Sequence, residues 1–161
     1  MAEERVYKSV DESRTEQIHI LFPRYLNGDG LLYGGELLFW IDEIAGVVAR
    51  RHCGMSVVTA AIDHMNFKAS ARLGDTVYIR GHMTYVGTSS MEVRIDSYVE
   101  ELQTGVRHLI NTAFFVMVGL GKDGKPAQVP GLKVETISEQ AEWEAARKRQ
   151  EYRKHRSQEG F

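Results

Sequence analysis

Residues 34–52, GGELLFWIDEIAGVVARRH, carry apolar side chains on almost every side of a helix and yet set two adjacent acids, Asp42 and Glu43, near its middle. The stretch contains no proline, opens on the Gly34-Gly35 pair and stops at Gly54, so it predicts one helix from about Gly35 to Arg51, about 24 Å long. Arg50, Arg51 and His52 at its end suit the negative pole of the helix dipole. An ionised carboxylate taken out of water without partners costs several kcal/mol, comparable with the net stability of a whole domain. The acids are therefore either paired or put to use. Pairing would bring in a subunit interface, Arg50 or Arg51; the helix residues by themselves leave both readings open.

Working outward, TEQIHILFP before the helix reads as a short strand closed by Pro23, which lacks a ladder donor. RYLNGDGLLYGG is a glycine-punctuated loop. After Ser56 the period changes from helix to strand. VVTAAIDHMNF is rich in β-formers; DTVYIRGHMTYVG sets Val77, Ile79, Met83 and Tyr85 on one face; MEVRIDSYVE alternates Met91, Val93 and Ile95 with Glu92, Arg94 and Asp96. These strands are expected to keep one wet face. VRHLINTAFFVMVGL, apolar on both faces, is expected to be central and covered on each side. Turn signals at 73–75, 104–105 and 123–124 suggest consecutive antiparallel hairpins, with the sheet curled around the helix. The fold class is thus α+β. The tail, residues 138–161, reads as a surface helix capped by Ser138, acidic early and basic late.

A length of 161 residues fits one domain, and 43% hydrophobic with 26% charged residues is ordinary for a globular protein. The formal charge of −2 gives no general attraction to nucleic acid or anionic membrane. A lone cysteine, Cys53, excludes an intrachain disulfide. The polar, acid-containing start resembles neither a secretory signal nor a mitochondrial presequence, and no stretch is long and apolar enough for membrane insertion. A cytoplasmic protein is expected.

Several motifs fail on their surroundings. GLGKDG, residues 119–124, has the spacing of a dinucleotide loop, but Pro126 and Pro130 forbid the helix that must follow. His52 and Cys53 are sequence neighbours that point to different sides of a helix. The six histidines lack metal-site spacing, so no metal is expected, and GTSSM lacks the second glycine of a nucleophile elbow. The basic run 147–156 reads as a solvated helix end.

The loop before the helix favours use over pairing. Glycines 34 and 35 let a ligand approach the N–H groups that a helix leaves unpaired in its first turn. An acid two turns along, Asp42, and an amide in the loop, Asn27, complete a base, a polariser and an oxyanion seat for hydrolysing an acyl compound.

The run LFPRYLNGDGLLYGGELLFWIDEIAGVVARRHCG, followed by VVTAAIDHMNF, GDTVYIRGHMTYVGTSSMEV and NTAFFVMVGLGKDGKPAQVP, resembles the hotdog-fold acyl-CoA thioesterases of the brain acyl-CoA hydrolase type. Asn27 followed by Gly30, the Gly34-Gly35 pair and Asp42 keep the family spacing, and residues 87–93 match its glycine-serine-methionine-glutamate segment. The resemblance covers residues 16–132, leaving a polar N-terminal segment (1–15) and a charged helical tail (133–161). It implies a sheet wrapped around the central helix, a homodimer joined sheet edge to sheet edge, and a trimer of such dimers. It implies a fatty acyl-CoA substrate, hydrolysed to free acid and CoA-SH without cofactor. Asp42 of one subunit would activate water or attack the thioester, Asn27 of its neighbour would orient water or carbonyl, and N–H groups at Gly34 and Gly35 would polarise the oxygen. The CoA arm would lie near Thr59 and the turn holding Gly87, Ser89 and Ser90. One departure is Tyr33, where many relatives have histidine or phenylalanine. The rival readings are a non-catalytic acyl-CoA-responsive module of the same fold, using the basic tail on nucleic acid, and a hotdog dehydratase; the latter would want a histidine in the loop or early helix, where none stands.

Overall fold

The computed structural model describes residues 4–161. The elements are β1 (Tyr7–Ser9), β2 (Thr15–Ile20), a 3-10 turn (Pro23–Tyr25), α1 (Gly34–Cys53), β3 (Ser56–Phe67), β4 (Thr76–Val86), β5 (Ser90–Glu100), β6 (Arg107–Leu120), β7 (Gly131–Lys133) and α2 (Ile137–Glu159). The main sheet is antiparallel with order β2-β4-β5-β6-β3, and β1 pairs with β7 in a separate parallel ribbon. This is the expected hotdog arrangement, a sheet curled around one long helix.

The apolar residues of α1 recur at Leu37, Ile41, Ile44, Ala45, Val48 and Ala49, three or four apart, and all are buried. Beneath them lies the inner face of the sheet: Val77, Ile79, Met91, Val93, Ile95, Ala113 and Phe115, sealed from solvent. Each such aliphatic side chain contributes about 1.5–3 kcal/mol by leaving water. Helix α1 ends where Gly54 turns left-handed at φ 67° and donates to the Arg50 carbonyl at 2.8 Å. Sheet and helix meet so closely that a Cβ on Gly81 would lie 2.6 Å from Ile44 Cγ2.

Five expectations change. The segment after β3 does not fold back as a hairpin. Its chain crosses beneath the start of α1, where Leu32 N–H bonds the Ala71 carbonyl at 2.8 Å, and its Gly74 turn pairs with Leu21 at the end of β2. Strands β2 and β3, which flank α1 in sequence, therefore become the two edges, with the β4-β5-β6 meander between them. The central strand is β5, and the doubly apolar β6 lies one place from the edge. The outer faces of β4 and β5 are not wet, because α2 packs across them: His82, Thr84, Glu92 and Asp96 are buried. Tyr85 does not join the inner face; a bulge between Met83 and Tyr85 turns it outward onto Trp143 of α2, rings 4.4 Å apart. Finally, α2 is capped by Thr136 rather than Ser138. Thr136 accepts from Glu139 N–H at 3.1 Å while the Glu139 carboxylate accepts from Thr136 N–H at 3.3 Å, a reciprocity that needs residues three apart.

Among the described residues no helix is long and apolar enough to cross a membrane.

Candidate active site

Asp42 stands on the one face of α1 that the sheet leaves uncovered, so within a single chain it is exposed rather than sheltered. Its neighbour Phe39 is exposed as well. Thr59, on edge strand β3, donates from Oγ1 to Asp42 Oδ1 at 2.7 Å. The Met117 sulfur lies on the other side of the same hydroxyl, at 3.5 Å. Neither Arg50 nor Arg51 pairs with Asp42 among the described residues; Arg51 instead reaches the Arg14 carbonyl and Thr15. The cleft over this pair has a volume of about 370 Å³, and Gln17, Glu43, Gly46 and Arg50 line it with Asp42 and Thr59. Gly46 keeps it open, since a Cβ there would meet nothing within 4 Å.

The first helical bond of α1 runs from Leu37 N–H to the Tyr33 carbonyl at 3.1 Å, so the N–H groups of Gly34, Gly35 and Glu36 precede the ladder. Tyr33 at the N-cap makes no side-chain capping bond to this end. A Cβ on Gly35 would face open space, and one on Gly34 would only touch the Phe67 ring at 3.6 Å. These donors are thus available to a negative oxygen.

Asn27 closes its own loop. Its Oδ1 accepts from Asp29 N–H at 2.9 Å and Leu31 N–H at 3.1 Å, while the backbone bonds Asn27 N–H to the Leu31 carbonyl at 2.8 Å. The amide oxygen is spent on the loop, and the NH₂ group is what remains to meet a ligand.

All four carbonyls of the 87–90 turn are occupied. Gly87 accepts from Arg5 Nη2 at 2.6 Å, Thr88 from Val129 N–H at 2.9 Å, Ser89 from Gly119 N–H at 2.9 Å and Ser90 from Gly87 N–H at 2.8 Å. The rim is left to donors and hydroxyls. Register places Met91, Met117 and Thr59 in one row across β5, β6 and β3. Ser90, one residue beyond that row, thus sits about 10 Å from Thr59 by strand spacing.

Within one chain the fold therefore joins Asp42 to Thr59 and sets the 87–90 turn at the same end of the sheet. It does not join them to the helix start: Gly35 and Asp42 are seven residues apart, about 10 Å along the axis. A single carbonyl group cannot touch both from one subunit.

Sequence reading missed what the basic run does. Arg149, Arg153 and Arg156 do not wave in solvent: Arg149 and Arg153 reach buried Glu92, and Arg153 and Arg156 bind Asp63. Their four- and three-residue intervals, matched to acids on outward strand positions, were the available signal. Among the described residues no three histidine, cysteine or acidic side chains gather as metal ligands.

Comparison with known proteins adds the chemistry. The thioesterase superfamily pattern matches residues 29–106. An uncharacterised acyl-CoA thioester hydrolase of Bacillus subtilis is 40% identical over 128 residues, 80% of this chain and 74% of that one. The cytosolic acyl coenzyme A thioester hydrolase of Rattus norvegicus is 36% identical over 145 residues; the match takes in 88% of this chain but 38% of the longer rat protein. A crystal structure of an apo-hexameric acyl-CoA thioesterase superposes with TM-score 0.90 at 39% identity, over 94% of this chain and 97% of the other. The acyl-CoA hydrolase of Staphylococcus aureus, with coenzyme A bound to a variant in which an asparagine is replaced by alanine, superposes with TM-score 0.92 at 33% identity, over 97% and 93%. Variants of the same enzyme with an aspartate or a threonine replaced by alanine superpose with TM-scores of 0.91 and 0.90, at 34% and 33% identity. The chain belongs to the thioesterase superfamily, among the hotdog-fold acyl-CoA thioester hydrolases.

Proposed function

We propose that this chain hydrolyses acyl-CoA to free acid and CoA-SH at a site assembled from two copies of itself, with Asp42 as the reacting carboxylate. The observation that carries the assignment is the Thr59 hydroxyl holding Asp42 Oδ1 at 2.7 Å in an open cleft, an arrangement that orients one carboxylate oxygen and leaves the other to a ligand. Further support comes from spacing. In the Staphylococcus aureus enzyme the asparagine, aspartate and threonine chosen for replacement stand 15 and 17 residues apart, the intervals that separate Asn27, Asp42 and Thr59 here.

In this reading the thioester oxygen rests on the N–H groups at Gly34 and Gly35 of one subunit, and Asp42 of the other faces the carbonyl carbon. Asp42 takes a proton from water as its oxygen attacks; the oxyanion forms on the helix start; the C–S bond then breaks and the thiolate recovers the proton. Direct attack by Asp42 would instead expel the CoA thiolate and form an anhydride; water opening it at the aspartyl carbon puts oxygen-18 from labelled water into the Asp42 carboxylate during a single turnover, and opening at the acyl carbon puts it into the released acid. Asn27, donating through its NH₂, orients water or the carbonyl. The donor-rich rim at Gly87, Ser89 and Ser90 receives the CoA arm along Thr59. Neither scheme uses a metal. The uncovered faces of α1 and β3, with exposed Phe39, Val58 and Ile62, support burial in a homodimer, and the hexameric relatives support a trimer of such dimers. A cytoplasmic location belongs to the same reading, supported by the cytosolic naming of the rat relative.

The test is complementation. Asp42→Asn and Asn27→Ala should each lower turnover at least ~10²-fold while the oligomer persists. Unfolding the two together and reassembling them should restore activity, because half of the mixed sites then hold both wild-type residues. Wild-type turnover by Asp42→Asn overturns the role of Asp42; two inactive variants that stay inactive when mixed overturn the shared site.

A further inference from the structure

Beside the helix start lies a recess that none of the roles above uses. Leu32 from the loop, Leu37 from α1, Phe67 at the end of β3, Ala69 and Ala71 from the crossing segment and Ile110 from β6 form its walls, and Gly34 opens it toward the backbone N–H groups. Its volume is about 190 Å³. Leu37, Ala71 and Ile110 are buried and close its floor, whereas Phe67 is half exposed and stands at its mouth, its ring 3.6 Å from where a Gly34 Cβ would be.

We propose that this recess receives the acyl chain and limits the enzyme to short acyl groups, up to about six carbons. The inference rests on the reading of Gly34 and Gly35 as the oxyanion seat. A carbonyl oxygen bonded to those N–H groups lies about 2.9 Å from nitrogen. The α-carbon of the acyl chain is two bonds from that oxygen and so stands within a few ångströms of Gly34, at the opening of the recess. The side chains of the walls are apolar apart from Ser70, so they favour a hydrocarbon. Size then decides length. A dry cavity of about 150 Å³ lined by aliphatic and aromatic side chains holds benzene, six carbons. A recess of about 190 Å³ offers room for a chain of about that size before it meets buried Leu37, Ala71 and Ile110.

The specificity lies in Ala71 and Phe67. Ala71 is the smallest side chain on the floor, so its size sets the depth, and the Phe67 ring sets the width of the mouth. A methylene that no longer fits costs roughly 10-fold in kcat/KM.

Thiol release measured across acetyl-, butyryl-, hexanoyl-, octanoyl- and palmitoyl-CoA tests this. The wild-type enzyme should lose at least 10-fold in kcat/KM between hexanoyl- and palmitoyl-CoA. Ala71→Leu should lower the hexanoyl-to-acetyl ratio about 10-fold or more, and Phe67→Ala should raise the octanoyl-to-butyryl ratio. Phe67 is exposed, so that second variant stands even where Ala71→Leu does not fold. Palmitoyl-CoA turned over as well as butyryl-CoA, or a Phe67→Ala variant that changes all chain lengths by one common factor, overturns the acyl recess while leaving the thioesterase reading intact. No hydrolysis of any acyl-CoA by the wild-type protein overturns both.

Discussion

Glu92, buried on the central strand, takes two hydrogen bonds from one guanidinium on α2: Arg149 Nη2 to Oε1 at 2.7 Å and Arg149 Nε to Oε2 at 3.2 Å. Thr84 adds a third at 2.7 Å and Arg153 a fourth at 3.4 Å, while the Arg149 guanidinium stacks on the Phe114 ring at 3.7 Å. The carboxylate is fully satisfied, and removing it strands the Arg149 guanidinium at a largely buried contact, while Arg153 keeps Asp63. Glu92→Ala should therefore lose about 3–5 kcal/mol, the cost of breaking a buried pair from one side. At about 2–4 °C per kcal/mol for a chain of this size, Tm should drop by roughly 10 °C. Because the pair is buried, 1 M salt should leave α2 docked. A thermal scan that finds wild-type Tm in Glu92→Ala contradicts the account.

In the proposed reaction Thr59 positions the carboxylate it holds, Asp42. Thr59→Val keeps the shape of the side chain and deletes the donor, freeing a carboxylate that a hydrogen bond worth about 1.5–3 kcal/mol had aimed. Turnover should fall about 10-fold or more with the oligomer unchanged, and Thr59→Ser should recover most of it. Full turnover in the valine variant with a loss in the serine variant would indicate that the methyl group, not the hydroxyl, was what mattered.

These two sites differ in how far the sequence revealed them. The Leu37–Ile41–Ile44–Val48 spacing and the alternation of Met91, Val93 and Ile95 are one-dimensional signals, so α1 and the β5 inner face could be read without neighbours. Asn27, Gly34, Gly35, Asp42 and Thr59 were picked out, the first four on their chemistry and Thr59 through the family resemblance. What escaped were relations between distant segments. Strand β3 pairs with β6 because the crossing loop ties to Leu21 and Leu32, and no local pattern carries that. The burial of Glu92 depends on a helix more than forty residues later, and a one-residue bulge flips Tyr85 against its alternation. Asp42 reads as sheltered from its helix neighbours alone, yet the single chain leaves its face open.

Gly81 lies directly beneath α1, against the branched, buried side chains of Ile44 and Val48. A Cβ there would meet Ile44 Cγ2 at 2.6 Å and Val48 Cγ2 at 3.2 Å. Gly81→Ala must then push the helix off the sheet or force Ile44 from its rotamer, a cost of about 1–3 kcal/mol. Denaturant unfolding should show a lower midpoint with an unchanged slope. Ile44→Ala removes the obstructing methyl, so the double variant should be less destabilised than the sum of the two single ones. Additive losses would mean that the helix shifts without resistance.

His52 ties stability to pH. It is fully buried at the end of α1, where Nε2 lies 2.9 Å from the Pro130 carbonyl, and among the described residues Nδ1 has no partner. The carbonyl can only accept, so Nε2 carries the proton and Nδ1 is bare; a second proton would sit in a dry site with no acceptor. Burial accordingly pushes the His52 pKa below its ordinary value, against the opposing pull of the Pro130 carbonyl. The unfolded chain protonates this residue below about pH 6.5 while the folded chain does not. The unfolded state then binds more protons, so stability rises with pH through this window and falls on acidification, by up to about 1.4 kcal/mol per pH unit. His52→Gln retains an amide N–H for Pro130 and has nothing to titrate. Denaturant melts between pH 7 and pH 5 should therefore show a shallower loss in His52→Gln than in the wild type, even though His19, stacked on Trp40 and also held below its ordinary pKa by burial, titrates alike in both. Parallel curves would mean that the buried imidazole accepts its second proton without cost.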